Sequence, residues 1–332
     1  MEQEKTNSYT YFSIGSNGEL KKKEWYYTFV ANEGSDFDPA YITKLLGIQP
    51  IDSWMKGDPW NKKHPRHFSS WHAERSEKDR LDGEAQCLDT IKNLKHKIPE
   101  LMQIKEQYDV GFTLFIVPKI HNGETPYLKF NKEIMEFCYL ADVDIGVDMY
   151  IISGENDEAH KGEEEVTHCY TYFEIGSVGS SATNEKGAFD PDDMTELLGI
   201  QPFDNYMKGD PCEEGYLCRS SSWRAEKSDA GRWDAKAQCV ETIKNLKYKI
   251  SELKQIKEQY DVNYVIHIVP WVYQGEQPCI SLDKEIIEFC YLADVEIVVD
   301  ITIISGEEAW ADEDYYKGLD AHNAHAKSYD TL

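Results

Sequence analysis

The sequence predicts an α+β protein of two tandem homologous domains, each a mixed or antiparallel sheet with helices packed on it. The first observation is a repeat: Phe37-Asp38-Pro39 returns as Phe189-Asp190-Pro191, and both copies then continue in register without a gap. A period of about 150 residues has the size of a whole domain. The second observation is that strand-like and amphipathic helical patterns mix within each copy, with several connections short enough for hairpins.

The repeat also predicts the domain boundaries. We expect a first α+β repeat at residues 1–155, an acidic linker at 156–168, a second repeat at 169–307 and a flexible acidic tail at 308–332. Residues 9–16 resemble residues 170–177, so the duplicated unit begins near Tyr9 and the first repeat includes this extra N-terminal strand. A short insertion near residues 21–24 distinguishes the first copy from the second.

The first half of each copy begins with a strand and a capped helix. Residues 25–31 are aromatic and β-branched, which favours a strand. Asp38 then offers an N-cap, Pro39 suits the first helical position and Gly47 ends the helix. An irregular stretch over residues 48–59 follows, and a short strand is expected at 68–73.

The second half contains the longest helical signal, over residues 83–108, where apolar residues recur at three- and four-residue steps. Pro99 predicts a break in this helix, and Ser251 at the matching position predicts a weaker break in the second copy. The remaining predictions are a strand at 112–117 ended by Pro118, a turn at Gly123, a partner strand at 127–130, a helix from Asn131 to Ala141, and an alternating strand at 143–152.

Composition limits the classes of function. Hydrophobic residues make up 41% of the chain and charged residues 29%, with a formal net charge of −26. Such a charge disfavours direct binding of nucleic acid, which needs clustered Lys and Arg. It suits an acidic surface that covers a basic partner, although it equally suits a charge that only keeps the protein soluble. No secretory signal or membrane span is apparent, so we expect a cytoplasmic protein.

The cysteines favour a reducing compartment. Cys87 and Cys239 are repeat equivalents, as are Cys138 and Cys290, and each lies in an apolar helical pattern. We expect these four thiols to be buried and reduced. Cys212 and Cys218 alone approach a metal-like spacing, but no second Cys or His pair follows, so no metal site or cofactor is expected.

No complete catalytic signature is present. The chain lacks a nucleophile elbow, a phosphate-binding glycine loop and a zinc-protease motif, and histidines match poorly between the copies. Asp148 and Asp300 form the carboxylate pair common to both copies, but strand alternation alone predicts polar residues there. We therefore expect a non-enzymatic protein with no catalytic residues, and keep carboxylate chemistry at these two positions as an alternative.

A loop signature recurs in both copies and provides the candidate binding residues. These are Trp54, Lys56, Gly57 and Trp71 in the first copy, and Tyr206, Lys208, Gly209 and Trp223 in the second. An aromatic residue, a lysine, a turn glycine and a tryptophan can form a pocket or an interface anchor. They can equally be structural, with the glycine in a tight turn and the tryptophan in the core.

These motifs carry a resemblance. An aromatic strand, an Asp-Pro-capped helix ending Leu-Leu-Gly-Ile, a Lys-Gly turn, Ser-Ser-Trp, a long helix and a closing Val-x-Ile-x-Val-Asp strand resemble an uncharacterised bacterial domain-of-unknown-function family, number four-two-seven-nine. The resemblance covers residues 26–153 and 170–305. It implies an acidic cytosolic protein, and some members resemble immunity proteins of toxin systems. It implies no catalytic residues. The family pattern is a single domain, so the tandem arrangement leaves open whether both copies bind.

Together these observations favour an acidic interaction protein. We expect it to bind and block a protein partner, such as a basic toxin or a nucleic-acid enzyme, without binding nucleic acid or membranes itself. Divergence between the copies concentrates at residues 61–68 and 213–220, which are basic in the first and begin acidic in the second. Loops carry partner contacts and also drift freely. The alternative is a small-molecule binding module that uses the Lys-Gly and Trp loops.

Overall fold

The computed structural model describes residues 5–22, 27–61, 64–152, 167–178, 188–211, 216–231, 233–273 and 277–304. The expected linker falls almost entirely outside these ranges, and the expected tail lies wholly outside them. None of the helices within these ranges is long and apolar enough to cross a membrane.

The first repeat contains strands and helices in mixed order, as predicted. Its strands are β1 (Asn7–Ser16), β2 (Gly18–Lys22), β3 (Tyr27–Ala31), β4 (Asp52–Trp54), β5 (Pro59–Asn61), β6 (His64–Pro65), β7 (Ser70–His72), β8 (Val110–His121), β9 (Leu128–Phe130), β10 (Asp144–Val147) and β11 (Tyr150–Ile152). Its helices are α1 (Pro39–Leu46), α2 (Gly83–Ile91), α3 (Ile98–Gln107) and α4 (Lys132–Ala141).

The second repeat follows the same order. Its strands are β12 (His168–Ser177), β13 (Asp204–Tyr206), β14 (Ser222–Ser228), β15 (Val262–Tyr273), β16 (Ile280–Leu282), β17 (Val295–Val299) and β18 (Thr302–Ile304). Its helices are α5 (Pro191–Leu198), α6 (Ala235–Ile243), α7 (Ile250–Gln259) and α8 (Lys284–Ala293).

The predicted mixed sheet is present in both repeats. In the first, the strand order is β16-β10-β8-β1-β7-β4, with β11 beside β8. The central pair β1 and β8 is antiparallel, whereas β8 and β10 are parallel. In the second, the path β13-β14-β12-β15-β17 repeats this order, with β18 beside β15. The fold class predicted from the sequence is therefore confirmed.

The compact units differ from the repeat boundaries. The first unit comprises Met1–Ile151 together with Ile280–Glu288. Its added strand, β16, pairs antiparallel with β10, so that Ile145 lies opposite Leu282 and Val147 lies opposite Ile280. An unpaired strand edge exposes amide and carbonyl groups that favour such an addition.

Local signals place the first helix as predicted. Asp38 accepts a hydrogen bond from the amide of Ala40, and Pro39 occupies the first turn of α1. Gly47 ends the helix in the left-handed region, with φ of 68°. The second repeat reproduces this arrangement with Asp190, Pro191 and Gly199.

The long helical pattern is divided at the same place in both repeats. A single 3-10 turn, Lys95–Lys97, separates α2 from α3, and Leu246–Tyr248 separates α6 from α7. The break predicted near Pro99 is present, but the prediction of a weaker break near Ser251 is wrong, because the second repeat is divided at the equivalent residues. Pro99 lies in the first turn of α3, where proline is tolerated. The buried Leu94 and Leu246 lie at the division in both copies, so packing accounts for it.

Three strand predictions also differ from the structure. The strand predicted to end at Pro118 continues to His121, and its counterpart continues through Pro270. Because β15 pairs with β17 up to Ile268 and with β18 from Trp271, Pro270 lies in the gap between these two neighbours. The missing proline amide is not needed there. The closing strand predicted at residues 143–152 is divided into β10 and β11. The strand predicted as the partner of β8, which is β9, does not pair with β8.

The core of each unit lies between the sheet and its helices. In the first, the fully buried side chains of Phe12 and Ile14 on β1 point to the same face as Phe112 and Leu114 on β8. Alternate residues such as Tyr11 point to the opposite face and are half-buried. The four cysteines predicted to be buried thiols are free and buried. The apolar residues on the same face of their helices are buried as well.

Candidate functional site

The Lys-Gly loop joins β4 to β5 and is held by its own hydrogen bonds. The amide of Met55 donates to Asp58 Oδ2 (2.7 Å), and the amide of Lys56 donates to Ser69 Oγ (3.1 Å). Gly57 adopts a φ of 93°, which favours glycine, and its amide donates to the carbonyl of Arg66 (2.9 Å). The loop backbone is therefore fixed before any partner arrives.

The second repeat builds the same frame. The amide of Met207 donates to Asp210 Oδ2 (2.7 Å), and the amide of Lys208 donates to Ser221 Oγ (3.1 Å). Gly209 has a φ of 98°, and its amide donates to the carbonyl of Cys218 (2.9 Å). The two glycines in the candidate set are thus turn residues, as the structural interpretation proposed.

The two tryptophans of the signature belong to the core. Trp71 and Trp223 are both 0% exposed. The indole Nε1 of Trp71 donates to Thr43 Oγ1 (3.0 Å), and that of Trp223 donates to Thr195 Oγ1 (3.0 Å). Each tryptophan therefore ties its sheet to the first helix of its repeat, and its side chain does not reach the surface.

Trp54 and Tyr206 occupy matching, half-buried positions on the edge strands β4 and β13. The ring of Trp54 contacts Phe68 and His72, with centroids 5.9 Å and 5.1 Å away. The guanidinium of Arg66 lies 4.0 Å from the centroid of the same ring. In the second repeat, the guanidinium of Arg224 lies 5.7 Å from the ring of Tyr206.

The lysine of the signature lies at the surface. Lys56 Nζ forms an ion pair with Asp36 Oδ2 at 2.9 Å, and both side chains are more than 40% exposed. Such a pair contributes little to stability because water screens it. Lys208 occupies the position that matches Lys56. The backbone amide of each lysine donates the serine hydrogen bond that holds its loop.

Large apolar side chains are exposed on or beside both Lys-Gly loops. In the first repeat these are Ile51, Met55 and Trp60, and Trp60 is 63% exposed. In the second repeat they are Met207, Tyr216 and Leu217, and the latter two are 69% and 64% exposed. Trp60, Tyr216 and Leu217 were missed as candidates because they do not match between the copies.

A polar cluster in the second repeat was also missed. Glu174 on β12 accepts a hydrogen bond from Ser222 Oγ (2.6 Å), and its second oxygen lies 2.9 Å from His267 Nε2. Arg224 Nε lies 3.4 Å from the first oxygen of Glu174, and its Nη1 donates to Asp204 Oδ2 (2.9 Å). Side chains from four strands thus form one cluster of charged and polar residues on the half-buried face of the sheet.

The charge state of this cluster follows from its contacts. Burial by itself raises the pKa of Glu174. The close imidazole of His267, the charge of Arg224 and the hydrogen bond from Ser222 outweigh burial and lower the pKa to about 2. Glu174 is therefore a carboxylate throughout the physiological range.

The first repeat has different residues at all three positions. Ser13, His72 and Phe115 stand where the second repeat has Glu174, Arg224 and His267, as the strand pairings show. The ring of Tyr11 lies 5.2 Å from Phe115 and 5.4 Å from His72, and burial lowers the pKa of His72. The same face is thus aromatic in one repeat and charged in the other. The only sequence signal was that His72 and His267 lack matching histidines.

The two alternative sites are elsewhere. Asp148 and Asp300 are exposed where the closing strand is interrupted, and Asp148 Oδ2 accepts a hydrogen bond from the Tyr150 hydroxyl (3.1 Å). A cavity of about 510 Å³ in the first unit is lined by Lys105, Phe112 and Asp142, among others. It does not include the Lys-Gly loop.

Metal ligands are not assembled in the described parts of the chain. Within them, no group of three or more His, Cys, Asp or Glu side chains could hold a metal ion. Of the metal-like cysteine pair, Cys212 lies outside the described residues and Cys218 is disulfide-bonded.

The chain matches a known protein-family model. No curated protein matches the chain. The family model described as Domain of unknown function (DUF4279) matches residues 23–152 and again residues 168–303. These two regions cover most of the chain and coincide with the two repeats described above, so the chain belongs to the DUF4279 family as two tandem copies.

Proposed function

We propose that the chain is a non-enzymatic interaction protein that binds and blocks a protein partner through its two Lys-Gly loops. The observation that carries this proposal is the exposure of Trp60, Tyr216 and Leu217 beside Lys-Gly loops whose backbones are held alike. Exposed aromatic side chains on a rigid frame are typical anchors of protein interfaces. Rigidity lowers the entropy cost of binding, so such anchors contribute more affinity.

The differences between the loops support distinct contacts for the two repeats. In the first repeat the guanidinium of Arg66 lies 5.7 Å from the ring of the exposed Trp60, whereas the matching segment of the second repeat exposes Tyr216 and Leu217. The backbone frame is shared, so a change of side chains alters the contact surface without altering the fold. Two loops on one chain also allow a partner to be held at two points.

The net charge supports a basic partner. With a formal charge of −26, the chain attracts positively charged proteins over long range and accelerates their association at low salt. A basic toxin or nucleic-acid enzyme fits this requirement, and an inhibitor or immunity protein of the cytoplasm is the concrete form that we propose. The exposed apolar anchors would then set the dissociation rate.

The test is co-purification from an extract of the native host at low and high salt, followed by titration of the isolated partner. We expect Trp60→Ser and Tyr216→Ser each to weaken binding about tenfold or more, as interface anchors do. Tyr248→Ser is the matched control, because Tyr248 is 76% exposed on the 3-10 turn before α7. Equal binding by all three variants would show that the loops are not part of the interface.

The cavity of the first unit supports a second candidate, a small-molecule binding module. Its volume of about 510 Å³ is within the range of ligand sites, and its walls combine Phe112 with Lys105 and Asp142. Lys105 Nζ donates to Asp142 Oδ2 (2.6 Å), so a ligand would meet a neutralised pair. A metabolite that copurifies in place of any protein partner would favour this candidate.

A further inference from the structure

We propose that the first repeat binds an extended acidic peptide segment across one face of its sheet, the face opposite to the helices. The site consists of a row of rings with cations at its two ends. We call the rings the aromatic row and define it by Tyr9, Tyr11, His72 and Trp54. The cations are Arg75 and Lys119 at the Tyr9 end and Arg66 at the Trp54 end.

The aromatic row crosses three neighbouring strands. Tyr9 and Tyr11 lie on β1, His72 lies on β7 and Trp54 lies on β4, and these strands are adjacent in the sheet. From Tyr9 to Trp54, successive ring centroids are 6.3, 5.4 and 5.1 Å apart. These steps separate the two ends by no more than the length of about five extended residues. A short peptide can therefore contact both ends at once.

Two cations meet at the Tyr9 end of the row. The guanidinium of Arg75 lies 4.5 Å from the centroid of the Tyr9 ring, and the ammonium of Lys119 lies 5.7 Å from it. Arg75 is exposed and Lys119 is half-buried. Among the described residues, neither forms an ion pair with a carboxylate. Their N–H groups are therefore available to a carboxylate of a ligand.

Arg66 occupies the Trp54 end of the row. Its guanidinium lies 4.0 Å from the ring of Trp54 and 5.7 Å from the ring of the exposed Trp60. It too lacks an ion pair within the part of the chain that the structure describes. A guanidinium stacked on an aromatic face keeps its N–H edge available for the two oxygens of a carboxylate.

The middle of the row has the opposite charge. The negative charges of Asp148 and Asp52 act on Tyr11 and His72, respectively. The row therefore favours a ligand with a carboxylate at each end and uncharged residues between them, which the half-buried rings can contact. A nucleic-acid strand fits less well, because it brings a negative charge with every nucleotide to a chain of net charge −26.

The second repeat lacks this pattern of charges. Cys218 and Trp271 stand where the first repeat has Arg66 and Lys119. Lys227 matches the remaining cation and lies 4.9 Å from the equivalent tyrosine ring. The peptide is therefore expected to select the first repeat, and Lys227 provides a matched control.

The inference concerns a local contact, whereas the net charge acts over long range. A basic partner that is attracted by the net charge would present this segment as a local acidic stretch. That the segment belongs to the blocked partner rests on the proposed function, but binding of the peptide itself does not.

Calorimetric titration of the full chain with a blocked hexapeptide, Glu-Thr-Tyr-Val-Thr-Glu, tests the inference without any partner. We expect binding at low salt. The same peptide with glutamine at both ends should bind about tenfold more weakly or worse, since each end loses a charge-assisted hydrogen bond. Arg66→Gln and Arg75→Gln should each weaken binding of the glutamate peptide about tenfold. Lys227→Gln should leave it unchanged.

None of these substitutions removes a buried side chain, and circular dichroism verifies that the variants keep the fold. Equal affinity for the two peptides, no detectable binding of the glutamate peptide, or a loss confined to one end of the row would each overturn the inference. Tighter binding of a hexathymidylate strand would also overturn it and assign the row to nucleic acid. None of these outcomes affects the loop test with Tyr216→Ser, because Tyr216 belongs to the second repeat.

Discussion

The indole Nε1 of Trp71 donates a hydrogen bond to Thr43 Oγ1 at 3.0 Å, and the Thr43 hydroxyl lies 2.9 Å from the carbonyl of Pro39. This pair joins β7 to α1 inside the core. The second repeat has the same arrangement, with Trp223, Thr195 and Pro191. The identity of these tryptophans in both copies is thus explained by packing and hydrogen bonding.

We expect Trp71→Ala to destabilise the first repeat by about 3–5 kcal/mol, because it removes a fully buried ring and leaves a cavity. Thr43→Val should cost about 1–3 kcal/mol, since the buried indole N–H loses its acceptor while volume is retained. Chemical unfolding followed by circular dichroism measures both. A Trp71→Ala protein of undiminished stability that fails to bind a partner would contradict this role.

Acid should weaken the Glu174 cluster. The pKa of Glu174 is lowered from 4.5 to about 2 in the folded chain, so its stabilising effect is complete above about pH 4.5. It is lost as the pH falls from there towards 2. The shift corresponds to about 3 kcal/mol as an upper value. The free energy of unfolding of Glu174→Gln, measured in urea from pH 7 to 3, should therefore approach that of the unmodified protein on acidification.

Glu241→Gln provides the comparison for this measurement, because Glu241 makes an exposed pair with Lys244. Its stability should differ little from that of the unmodified protein at any pH. A Glu174→Gln deficit that stays constant across the acid range would show that the carboxylate's charge is not what stabilises the cluster.

The three exchanged positions should behave as a unit. Ser13→Glu alone places a carboxylate at a buried site without its partners, and we expect a loss of about 3 kcal/mol. Adding His72→Arg and Phe115→His supplies both partners seen in the second repeat, so the triple variant should recover at least half of that loss. Unfolding of the single, double and triple variants gives the coupling. Strictly additive losses would mean that the two faces are not interchangeable.

Proline should be tolerated in the second repeat where the first one has it. Ser251 lies in the first turn of α7, so Ser251→Pro removes an amide that has no intrahelical acceptor. We expect a change within about 0.5 kcal/mol. Gln255→Pro, in the middle of the same helix, should cost about 3 kcal/mol. Comparable destabilisation by both substitutions would refute the assignment of the helix division to packing.

Features that depend on neighbouring residues could be predicted from the sequence. The repeat, the caps at Asp38 and Gly47, the buried thiols and the family all follow from patterns a few residues long or from direct comparison of the copies. A cap closes over two to four residues, and an apolar stripe depends only on helical periodicity. Such signals can be recognised without knowledge of the rest of the chain.

Contacts between distant residues became visible only in the folded chain. Glu174, Arg224 and His267 lie on three different strands, and only the order β14-β12-β15 brings them together. The same applies to Trp71, which the loop signature left undecided between core and anchor until Thr43 was placed beside it. Strand order is set by pairing between residues far apart along the chain, and local periodicity does not indicate which strands pair.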